Sequence, residues 1–375
     1  MLRDGSAACA ALRDDDGARI ARSGRIAIET ARRMRALLCL GDREVELTEL
    51  PLQDPGAGEM RVRTMVSAVC GSDLHHYRAP LTERRERGWA RFALGHECTG
   101  VVDAIGPGVV HPRVGERVVV YGLVGCGHCL HCRRGEPMFC NDAQHFSRHR
   151  DGSDAAFLIA PARNALPLPD DFDFEMGALL SCNVGTAYGA LRKIRPSGDT
   201  TLAVFGLGPV GLACVMLARV MGARVAGVDL QAARRGLAEQ SGAHTTFDAA
   251  AADLQDHLHA FGNGSGVHAS IDTSGSAAAR AAAIDALRVH GTFVEVGVGE
   301  DPTIRPAAQL ITKEVTLRGS WLYKKYEWEP LLEFVRSAQV PIKDLVTHRF
   351  RIEQAAAAFA LADSSTAGKI LFDWS

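Results

Sequence analysis

The hydrophobic and polar positions of this 375-residue chain follow two different rhythms. From Met34, apolar and polar residues alternate through RALLCLGDREVELTELPLQDPGAGEMRVRTMVSAVC, with a Pro/Gly-rich turn in between. Alternation bounded by turn residues is typical of β-strands. The same texture continues to about residue 185, as in ECTGVVDAIGPGVVHPRVGERVVVY. The pattern therefore predicts a β-rich domain.

At about residue 200 the pattern changes to strands that alternate with helices. TLAVF is a short apolar strand, GLGPVG is a glycine turn, LACVMLARVMGA has helical periodicity, and RVAGVD is a second strand. This alternation continues to about residue 320 and predicts a doubly wound parallel sheet. From Trp321 the sequence predicts two helices and a last strand, KILFDW. The predicted fold class is α/β, with a doubly wound domain inserted after a β-rich one.

Composition and charge narrow the classes of function. A chain of this length suggests about two domains. Its net charge of −2 gives no electrostatic reason to bind nucleic acid or an anionic membrane surface. Its apolar runs are shorter than the ~18 residues that span a bilayer. We therefore expect a small-molecule partner, and neither a nucleic acid nor a membrane.

The first 33 residues differ from the rest. They mix Ala, Arg, Asp and Gly without strand alternation or a helical apolar face. Burying such a segment would not offset the entropy lost on ordering it. We interpret residues 1–33 as a disordered or spurious extension before a second start at Met34. A chain shortened to begin at Met34 should keep its melting temperature.

The glycine turn in the α/β region indicates a dinucleotide site. Gly206, Gly208 and Gly211 form GxGxxG between a strand and a helix, the context that makes this motif specific. The first glycine permits a tight turn, the second lets the backbone approach a pyrophosphate, and the third lets the helix pack on the strand. The helix N-terminus adds amides and a positive dipole for the phosphates. We expect Pro209 and Val210 to contact the cofactor as well.

The end of the next strand predicts which cofactor is used. Asp229 lies 229 − 206 = 23 positions after Gly206. A carboxylate there accepts hydrogen bonds from the adenosine ribose and repels a 2′-phosphate, which predicts NAD over NADP. Arg234 and Arg235 lie nearby and could weaken this preference, so Arg234 is also a candidate cofactor-binding residue.

Four of the ten cysteines lie together in GCGHCLHCRRGEPMFC. A chain of this size does not need disulfides to supplement its core, and a disulfide pair would need neither four cysteines nor this C-x2-C-x2-C-x7-C spacing. Four thiolates on a loop suit a tetrahedral, closed, structural zinc site. The expected ligands are Cys126, Cys129, Cys132 and Cys140.

A second group of chemically useful residues is spread over three short segments. VCGSDLHHY contains Cys70, Ser72, Asp73 and His75, LGHE contains His96 and Glu97, and LLSCNVGTAYGAL contains Cys182. Each segment is a weak signal alone, because a single buried cysteine is more often a small core residue. Together they offer two thiolates and an imidazole, which would leave a zinc ion one open coordination position for catalysis.

In their order along the chain, CGSDLH, GHE, the four-cysteine segment, GLGPVG and GKILF resemble the zinc-containing medium-chain dehydrogenase/reductases of the alcohol dehydrogenase superfamily. The resemblance covers nearly everything from Met34 onward. It implies a GroES-like β-barrel catalytic domain over residues 34–185, completed by residues 321–375. Residues 186–320 would form a Rossmann NAD-binding domain, with the active site in the cleft between the two.

The resemblance also implies roles for single residues. Cys70, His96 and Cys182 would hold a catalytic zinc, which makes two zinc ions per chain. Asp73 matches the carboxylate that orients the histidine ligand, and Glu97 belongs to the near environment of the zinc.

Further implied roles concern the proton and the cofactor. Ser72 would take the proton of the substrate hydroxyl, and a relay through the cofactor ribose to His75 would carry it to solvent. Hydride would pass from the carbinol carbon to nicotinamide. Thr186 is a further candidate cofactor-binding residue, and Lys369 matches a basic residue that meets the pyrophosphate in some members.

The implied function is a cytoplasmic, zinc- and NAD-dependent alcohol dehydrogenase that reversibly oxidises a primary or secondary alcohol, as a homodimer or homotetramer. Gly71 is more like polyol and threonine dehydrogenases, although those usually carry Glu where this chain has Cys182. A polyol or L-threonine-type dehydrogenase is therefore the alternative. Zinc-independent quinone reductases and noncatalytic binders of this fold usually lack the zinc cysteines that this chain keeps.

One charged segment leaves the substrate open. The loop before GHE contains Arg84, Arg85, Arg87 and Arg91. These arginines could favour an anionic substrate, but a solvated charged loop is the default interpretation of such a segment.

Overall fold

The computed structural model describes residues 32–375, so the predicted extension lies outside the described residues except at its end. Arg33 already belongs to the first strand, one residue before the predicted start. The strands are β1 (Arg33–Gly41), β2 (Glu44–Pro51), β3 (Glu59–Ala68), β4 (Cys98–Ile105), β5 (Arg117–Val120), β6 (Leu123–Val124), β7 (Gln144–His145), β8 (Phe157–Pro161), β9 (Ala165–Pro167), β10 (Thr201–Phe205), β11 (Arg224–Asp229), β12 (Thr245–Asp248), β13 (Val267–Asp272), β14 (Leu287–Glu295), β15 (Thr316–Gly319), β16 (Val346–Arg351) and β17 (Lys369–Asp373).

The helices concentrate in the second half of the chain, as the change of sequence pattern predicts. They are α1 (Gly71–Arg78), α2 (Leu81–Glu86), α3 (Leu130–Arg133), α4 (Phe174–Ser181), α5 (Asn183–Ile194), α6 (Pro209–Val220), α7 (Ala232–Gln240), α8 (Leu254–Phe261), α9 (Ala277–Asp285), α10 (Trp328–Ser337) and α11 (Ala355–Asp363). Short 3₁₀ turns cover Pro137–Phe139, Ala162–Asn164, Lys325–Glu327, Ile342–Leu345 and Ile352–Gln354, and a π-helical turn covers Pro306–Ile311.

A six-stranded parallel sheet forms the half that contains the glycine turn. Its strand order is β12-β11-β10-β13-β14-β15. Strand β10 is buried at every position, which explains its unbroken apolar sequence TLAVF. The order reverses between β10 and β13, and the carboxyl ends of strands at such a point form a ligand-binding crevice. The predicted α/β class with a doubly wound sheet is confirmed.

A largely antiparallel seven-stranded sheet forms the other half. Its order is β16-β17-β3-β4-β5-β9, and β8 pairs with β3. The last strand, β17, lies between β16 and β3, so the C-terminal segment returns to the sheet built by the first part of the chain. The domain borders at residues 185/186 and 320/321 stay predictions.

Two consecutive helices join the sheets. Helix α4 packs on β3, β4 and β5, whereas α5 packs on α6 and on β14. One hydrophobic cluster runs from Val119 and Leu166 through α4 and α5 to Leu202 and Val204 of β10. Cys182, at the junction of α4 and α5, therefore lies where the two halves meet. Within the described residues, every helix is too short or too polar to cross a bilayer.

Candidate active site and metal centres

The four clustered cysteines converge on one point. Their Sγ atoms lie within 4.8 Å of one another. The chain reaches this geometry through tight turns at Gly127 and Gly135, both with positive φ, and through the single turn of α3. The segment lacks an apolar core of its own, so a shared metal ion fits as its organising element.

Backbone amides already point at the sulfur atoms. The amide of Cys129 donates to Sγ of Cys126 at 3.3 Å, that of Cys126 to Sγ of Cys140 at 3.3 Å, and that of Cys132 to Sγ of Cys129 at 3.4 Å. Backbone hydrogen bonding, chiefly from Cys129, lowers the pKa of Cys126 to about 6. The donor set therefore suits a thiophilic cation, and zinc fits it.

A second convergence brings together residues that are far apart in sequence. Ligand atoms of Cys70, His96, Glu97 and Cys182 lie within 4.8 Å of one another. Cys70 is the N-cap of α1, His96 and Glu97 directly precede β4, and Cys182 joins α4 to α5. The three segments meet because β3 and β4 pair side by side and α4 packs across both.

The two thiols of this cluster compete for one proton. A hydrogen bond from Cys182 lowers the pKa of Cys70 well below its ordinary value. The pKa of Cys182 is raised by the same contact and by burial. Two buried thiolates side by side need a cation to be stable together. Two thiolates and an imidazole fit zinc and leave one position open.

Asp73 holds the histidine in place. Its Oδ1 lies 3.4 Å from Nδ1 of His96, and its Oδ2 accepts the amide of Cys70 at 2.9 Å. One carboxylate thus touches two of the candidate ligand residues, and Nε2 of His96 is left for a metal. Carboxylates commonly orient metal-binding histidines in this way.

Lys369 does not lie where the sequence analysis expects it. Its side chain is 1% exposed, and its Nζ donates to Oε1 of Glu97 at 2.6 Å and to the carbonyl of Val69 at 2.9 Å. A fully buried amino group with these partners is not available to a pyrophosphate. We therefore correct the expectation that Lys369 meets the pyrophosphate. Lys369 instead neutralises Glu97, beside Cys70, His96 and Cys182.

Glu97 keeps one oxygen free of protein partners. The residue is fully buried, and its Oε2 has no hydrogen-bond partner among the described residues. Burial raises the pKa of Glu97 to about 8, against the opposing charge of Lys369. A free carboxylate oxygen in the cluster can act as a fourth ligand or yield that place to a substrate.

Ser72 and His75 both lie on α1 and are exposed. They are three residues apart, so they share one face of the helix. Ser72 follows Cys70, a member of the second cluster, by two residues. Among the described residues neither side chain has a hydrogen-bond partner, so both remain available for a proton.

The glycine turn forms a cradle at the crevice. A Cβ at Gly206 would lie 2.7 Å from that of Ser274, and a Cβ at Gly211 would lie 1.9 Å from the carbonyl oxygen of Gly206. At Gly208 a Cβ would meet only Nη2 of Arg234, at 4.0 Å. A side chain therefore has no room at Gly206 or Gly211, whereas the space at Gly208, the N-cap of α6, is open. Pro209 and Val210 occupy the first turn of α6 and are half-buried. This shape fits a dinucleotide pyrophosphate.

Asp229 borders this cradle, and Thr186 lies on α5, which packs on α6. Asp229 Oδ2 accepts the amide of Leu207 at 2.7 Å, and Nη1 of Arg234 lies 4.0 Å from the same oxygen. The carboxylate is thus fixed at the end of β11, beside the glycine turn. Oγ1 of Thr186 is buried and has no hydrogen-bond partner within residues 32–375, which suits a residue that contacts a bound cofactor.

Comparison with known proteins agrees with this geometry. The alcohol dehydrogenase GroES-like domain model matches residues 56–170, and the zinc-binding dehydrogenase model matches residues 209–337. An uncharacterised zinc-type alcohol dehydrogenase-like protein of Escherichia coli, YphC, is 32% identical over 348 residues, which cover 91% of this chain and 99% of that protein. The chain belongs to the zinc-type alcohol dehydrogenase family.

Two further relatives of this dehydrogenase agree. An L-threonine 3-dehydrogenase of Anaeromyxobacter is 31% identical over 87% of this chain and 94% of its own length. A crystal structure from Escherichia coli, described as a short chain alcohol dehydrogenase complexed with NADH, superposes with a TM-score of 0.81 at 26% identity, over 91% of this chain and 99% of that one. The predicted family, with its GroES-like and Rossmann folds, is confirmed.

The structure of this dehydrogenase adds residues that the sequence analysis missed. Both amide atoms of Asn183 and the hydroxyl of Tyr323 are buried beside Cys182 without partners among the described residues. Asn183 directly follows a ligand residue in the sequence, which is a signal that was available. Tyr323 comes from a distant segment, and no sequence signal marked it as part of this site.

The arginine-rich loop is only partly solvated. Arg85, Arg87 and Arg91 are exposed, but Arg84 is fully buried in α2. Its guanidinium contacts the carbonyl of Cys39 at 3.0 Å. The default interpretation of this loop as a solvated face is therefore wrong for Arg84.

Proposed function

We propose that this protein is a zinc- and NAD-dependent alcohol dehydrogenase that reversibly oxidises a primary or secondary alcohol to an aldehyde or ketone. The convergence of Cys70, His96 and Cys182 at the junction of the two halves carries the proposal. That junction adjoins the crevice where the glycine turn lies.

The side chains around Cys70, His96 and Cys182 have separate roles in the proposed reaction. When bound, zinc supplies a Lewis acid for the substrate hydroxyl and NAD supplies the hydride acceptor. Asp73 fixes the ring of His96 and the amide of Cys70. Lys369 keeps the charge of Glu97 balanced in a site from which water is excluded. Ser72 accepts the proton of the substrate hydroxyl, and His75, on the same face of α1, passes it toward solvent.

We propose two zinc ions per chain, one at each cysteine-containing cluster. The cysteines of the described residues are free thiols. Thiol clusters of this kind persist in a reducing compartment, which supports a cytoplasmic location. Elemental analysis of the purified protein should give about two zinc ions per chain.

The basic test of the function is NAD reduction at 340 nm with a panel of primary alcohols, secondary alcohols, polyols and L-threonine. Turnover that needs zinc and any of these alcohols supports the proposal, whereas intact turnover in zinc-free protein would refute it. A polyol or L-threonine-type dehydrogenase is the second candidate, favoured by the L-threonine 3-dehydrogenase relative. Reduction of quinones without zinc would instead favour the quinone-reductase alternative.

Asp229→Ser should narrow the preference between cofactors. We expect the wild type to favour NAD over NADP at least tenfold in kcat/KM, equal to about 1.4 kcal/mol, because the carboxylate repels a 2′-phosphate. The serine variant should lose most of this ratio, chiefly by accepting NADP. Asp256→Ser is the matched control, because Asp256 is an exposed carboxylate on α8, outside β11 and the glycine turn. Equal use of both cofactors by the wild type would show that Arg234 compensates for the carboxylate.

We also propose that the protein is a homodimer or homotetramer. Within residues 32–375 the parallel sheet ends at β15, whose residues are all exposed, including Leu317 at 40%. An exposed apolar edge strand is a template for pairing with a second copy. Leu317→Lys should therefore lower the mass measured by light scattering, whereas Leu230→Lys, an exposed leucine beyond β11, should not. A monomeric wild type would contradict the proposal.

A further inference from the structure

Two guanidinium groups lie over one indole beside α1, and a third contacts the histidine next to it. Those of Arg87 and Arg148 each lie 4.9 Å from the ring centroid of Trp89. The ring of His76 meets the same indole edge-on at 5.5 Å, and Nη1 of Arg84 lies 2.7 Å from Nδ1 of His76. We call Arg84, Arg87, Arg148, His76 and Trp89 the arginine cluster.

The arginine cluster carries more positive than negative charge. Arg87 pairs with Glu83 at 3.0 Å. Within the described residues no carboxylate comes within 4.0 Å of the guanidinium of Arg84 or Arg148. Arg84 is fully buried and Arg148 is half-buried. Two poorly solvated cations with no carboxylate in contact are unfavourable, so an added anion would be stabilised here.

His76 cannot satisfy both arginines at once. Its Nδ1 faces Arg84, and its Nε2 lies 3.0 Å from Nε of Arg148. Burial, together with the charge of Arg148, lowers the pKa of His76 to about 4, so the ring is neutral. A neutral imidazole has a single acceptor nitrogen. Arg84 also donates to the carbonyls of Cys39 and Trp89, whereas Arg148 donates from Nε to Nε2 of His76, so Nη1 and Nη2 of Arg148 keep no hydrogen-bond partner among the described residues.

Asp73 connects Arg148 to the cluster of Cys70, His96 and Cys182: burial and the charge of Arg87 lower the pKa of Arg148, and the charge of Asp73 opposes this shift. Asp73 and His76 are one turn apart on the same face of α1, and Asp73 touches His96. His145 approaches from the other side: burial, and then the charges of Arg148 and of neighbouring histidines that include His96, lower the pKa of His145 to about 4. Arg148 is thus flanked by two residues that each lie near a candidate metal ligand.

The approach to this region is open and aromatic. The ring of His145 stacks on Trp321 with centroids 6.3 Å apart, and Phe139 meets Trp321 edge-on at 6.4 Å. Trp321 is 45% exposed and Phe139 is 42% exposed. A small organic molecule therefore has an apolar wall along which to reach Arg148.

We propose that the substrate is a hydroxy acid whose carboxylate pairs with the guanidinium of Arg148 while its hydroxyl reaches the cluster of Cys70, His96 and Cys182. The inference rests on the proposed dehydrogenase function and names its substrate class. The carbinol C–H bond breaks as hydride passes to NAD⁺, and the hydroxyl proton leaves to solvent. The products are the keto acid, NADH and a proton.

A carboxylate fits better than other charged groups. With Nε of Arg148 directed at His76, its Nη1 and Nη2 remain, and this planar pair of donors matches the two oxygens of a carboxylate. A substrate ammonium group finds no free carboxylate in the arginine cluster, because Glu83 is already paired with Arg87. The structure therefore favours a hydroxy acid without an amino group over L-threonine.

The test compares substrates that differ only in charge. Both enantiomers of 3-hydroxybutyrate are compared with their methyl esters and with L-threonine, and 2- and 4-hydroxy acids with their esters cover other chain lengths. We expect kcat/KM of the best acid to exceed that of its ester at least tenfold. Arg148→Gln should lower this ratio at least tenfold, by raising KM for the acid more than KM for the ester. Arg91→Gln is the control, because its guanidinium stacks on Phe92 outside the arginine cluster.

A binding measurement separates recognition from turnover. Calorimetric titration of the NADH-bound protein with the same acids should show at least tenfold weaker binding in Arg148→Gln and unchanged binding in Arg91→Gln. Both variants should keep their zinc content and melting temperature. If neutral alcohols are oxidised and every ester matches its acid, the inference fails and the proposed function stands.

Other results would also overturn the inference. A preference for glycerol 3-phosphate or L-threonine over every hydroxy acid would overturn the choice of a simple carboxylate. If no alcohol reduces NAD, the proposed function fails. In that case calorimetry decides the inference, which falls if carboxylate binding is absent or does not depend on Arg148.

Discussion

Cys182→Ser is expected to abolish most turnover while leaving the protein folded. Serine is a much weaker zinc ligand than a thiolate, and Cys182 belongs to the three-ligand cluster of Cys70, His96 and Cys182. Loss of a Lewis acid at the substrate hydroxyl should lower kcat about a thousandfold, equal to roughly 4 kcal/mol. Zinc content should fall by one ion per chain, measured by mass spectrometry alongside NAD reduction.

The control for this variant is Cys214→Ala. Cys214 is a fully buried cysteine on α6, remote from both cysteine clusters. It should keep both zinc ions and most of its turnover, even where packing is weakened. Full activity in Cys182→Ser would mean that the convergence at the junction of α4 and α5 is not the catalytic centre.

Cys132→Ser is expected to have its largest effect on stability. The four-cysteine segment has short helical turns and glycines in place of a hydrophobic core, so we expect metal binding to supply its folding energy. Losing that contribution should lower the melting temperature by an amount on the order of 10 °C, at about 2 °C per kcal/mol for a chain of this size. Scanning calorimetry and zinc analysis measure the two effects together.

His128→Ser is the matched control for the segment. His128 lies between Cys126 and Cys129, is exposed, and is not one of the four converging side chains. It should leave zinc content and melting temperature unchanged. A melting temperature that is equal in Cys132→Ser and His128→Ser would show that the segment folds without its metal.

The sequence predicts most of the fold and both cysteine-containing clusters because their signals are local. Period-two alternation marks β3 and β4, and the glycine turn after TLAVF marks the start of α6. The spacing of the four clustered cysteines is typical of a loop whose thiols converge on one metal ion. The distant ligands Cys70, His96 and Cys182 came from the order of short motifs, which only a resemblance could join.

Pairings between distant segments could not be predicted in this way. Lys369 meets Glu97 across 272 positions, because β17 inserts next to β3. Arg148 reaches His76 across 72 positions, and no sequence pattern pairs the two residues. A charge in a loop looks solvated in the sequence, and only packing decides that Arg84 is buried. Long-range contacts of buried charges are thus the part of the site that sequence patterns do not encode.

The central place of β17 has a consequence for biosynthesis. This strand is synthesised after every other strand of the described residues, yet β16 and β3 flank it. Until it emerges, Glu97 lacks Lys369 and part of the edge of β3 is open. The half built on β3 therefore cannot close before β17 is made, whereas the parallel sheet is complete at β15, about fifty residues earlier. A premature stop just before Lys369 would release a polypeptide whose parallel sheet is complete but whose other sheet lacks β17. We expect proteases to degrade such a polypeptide faster than the full chain.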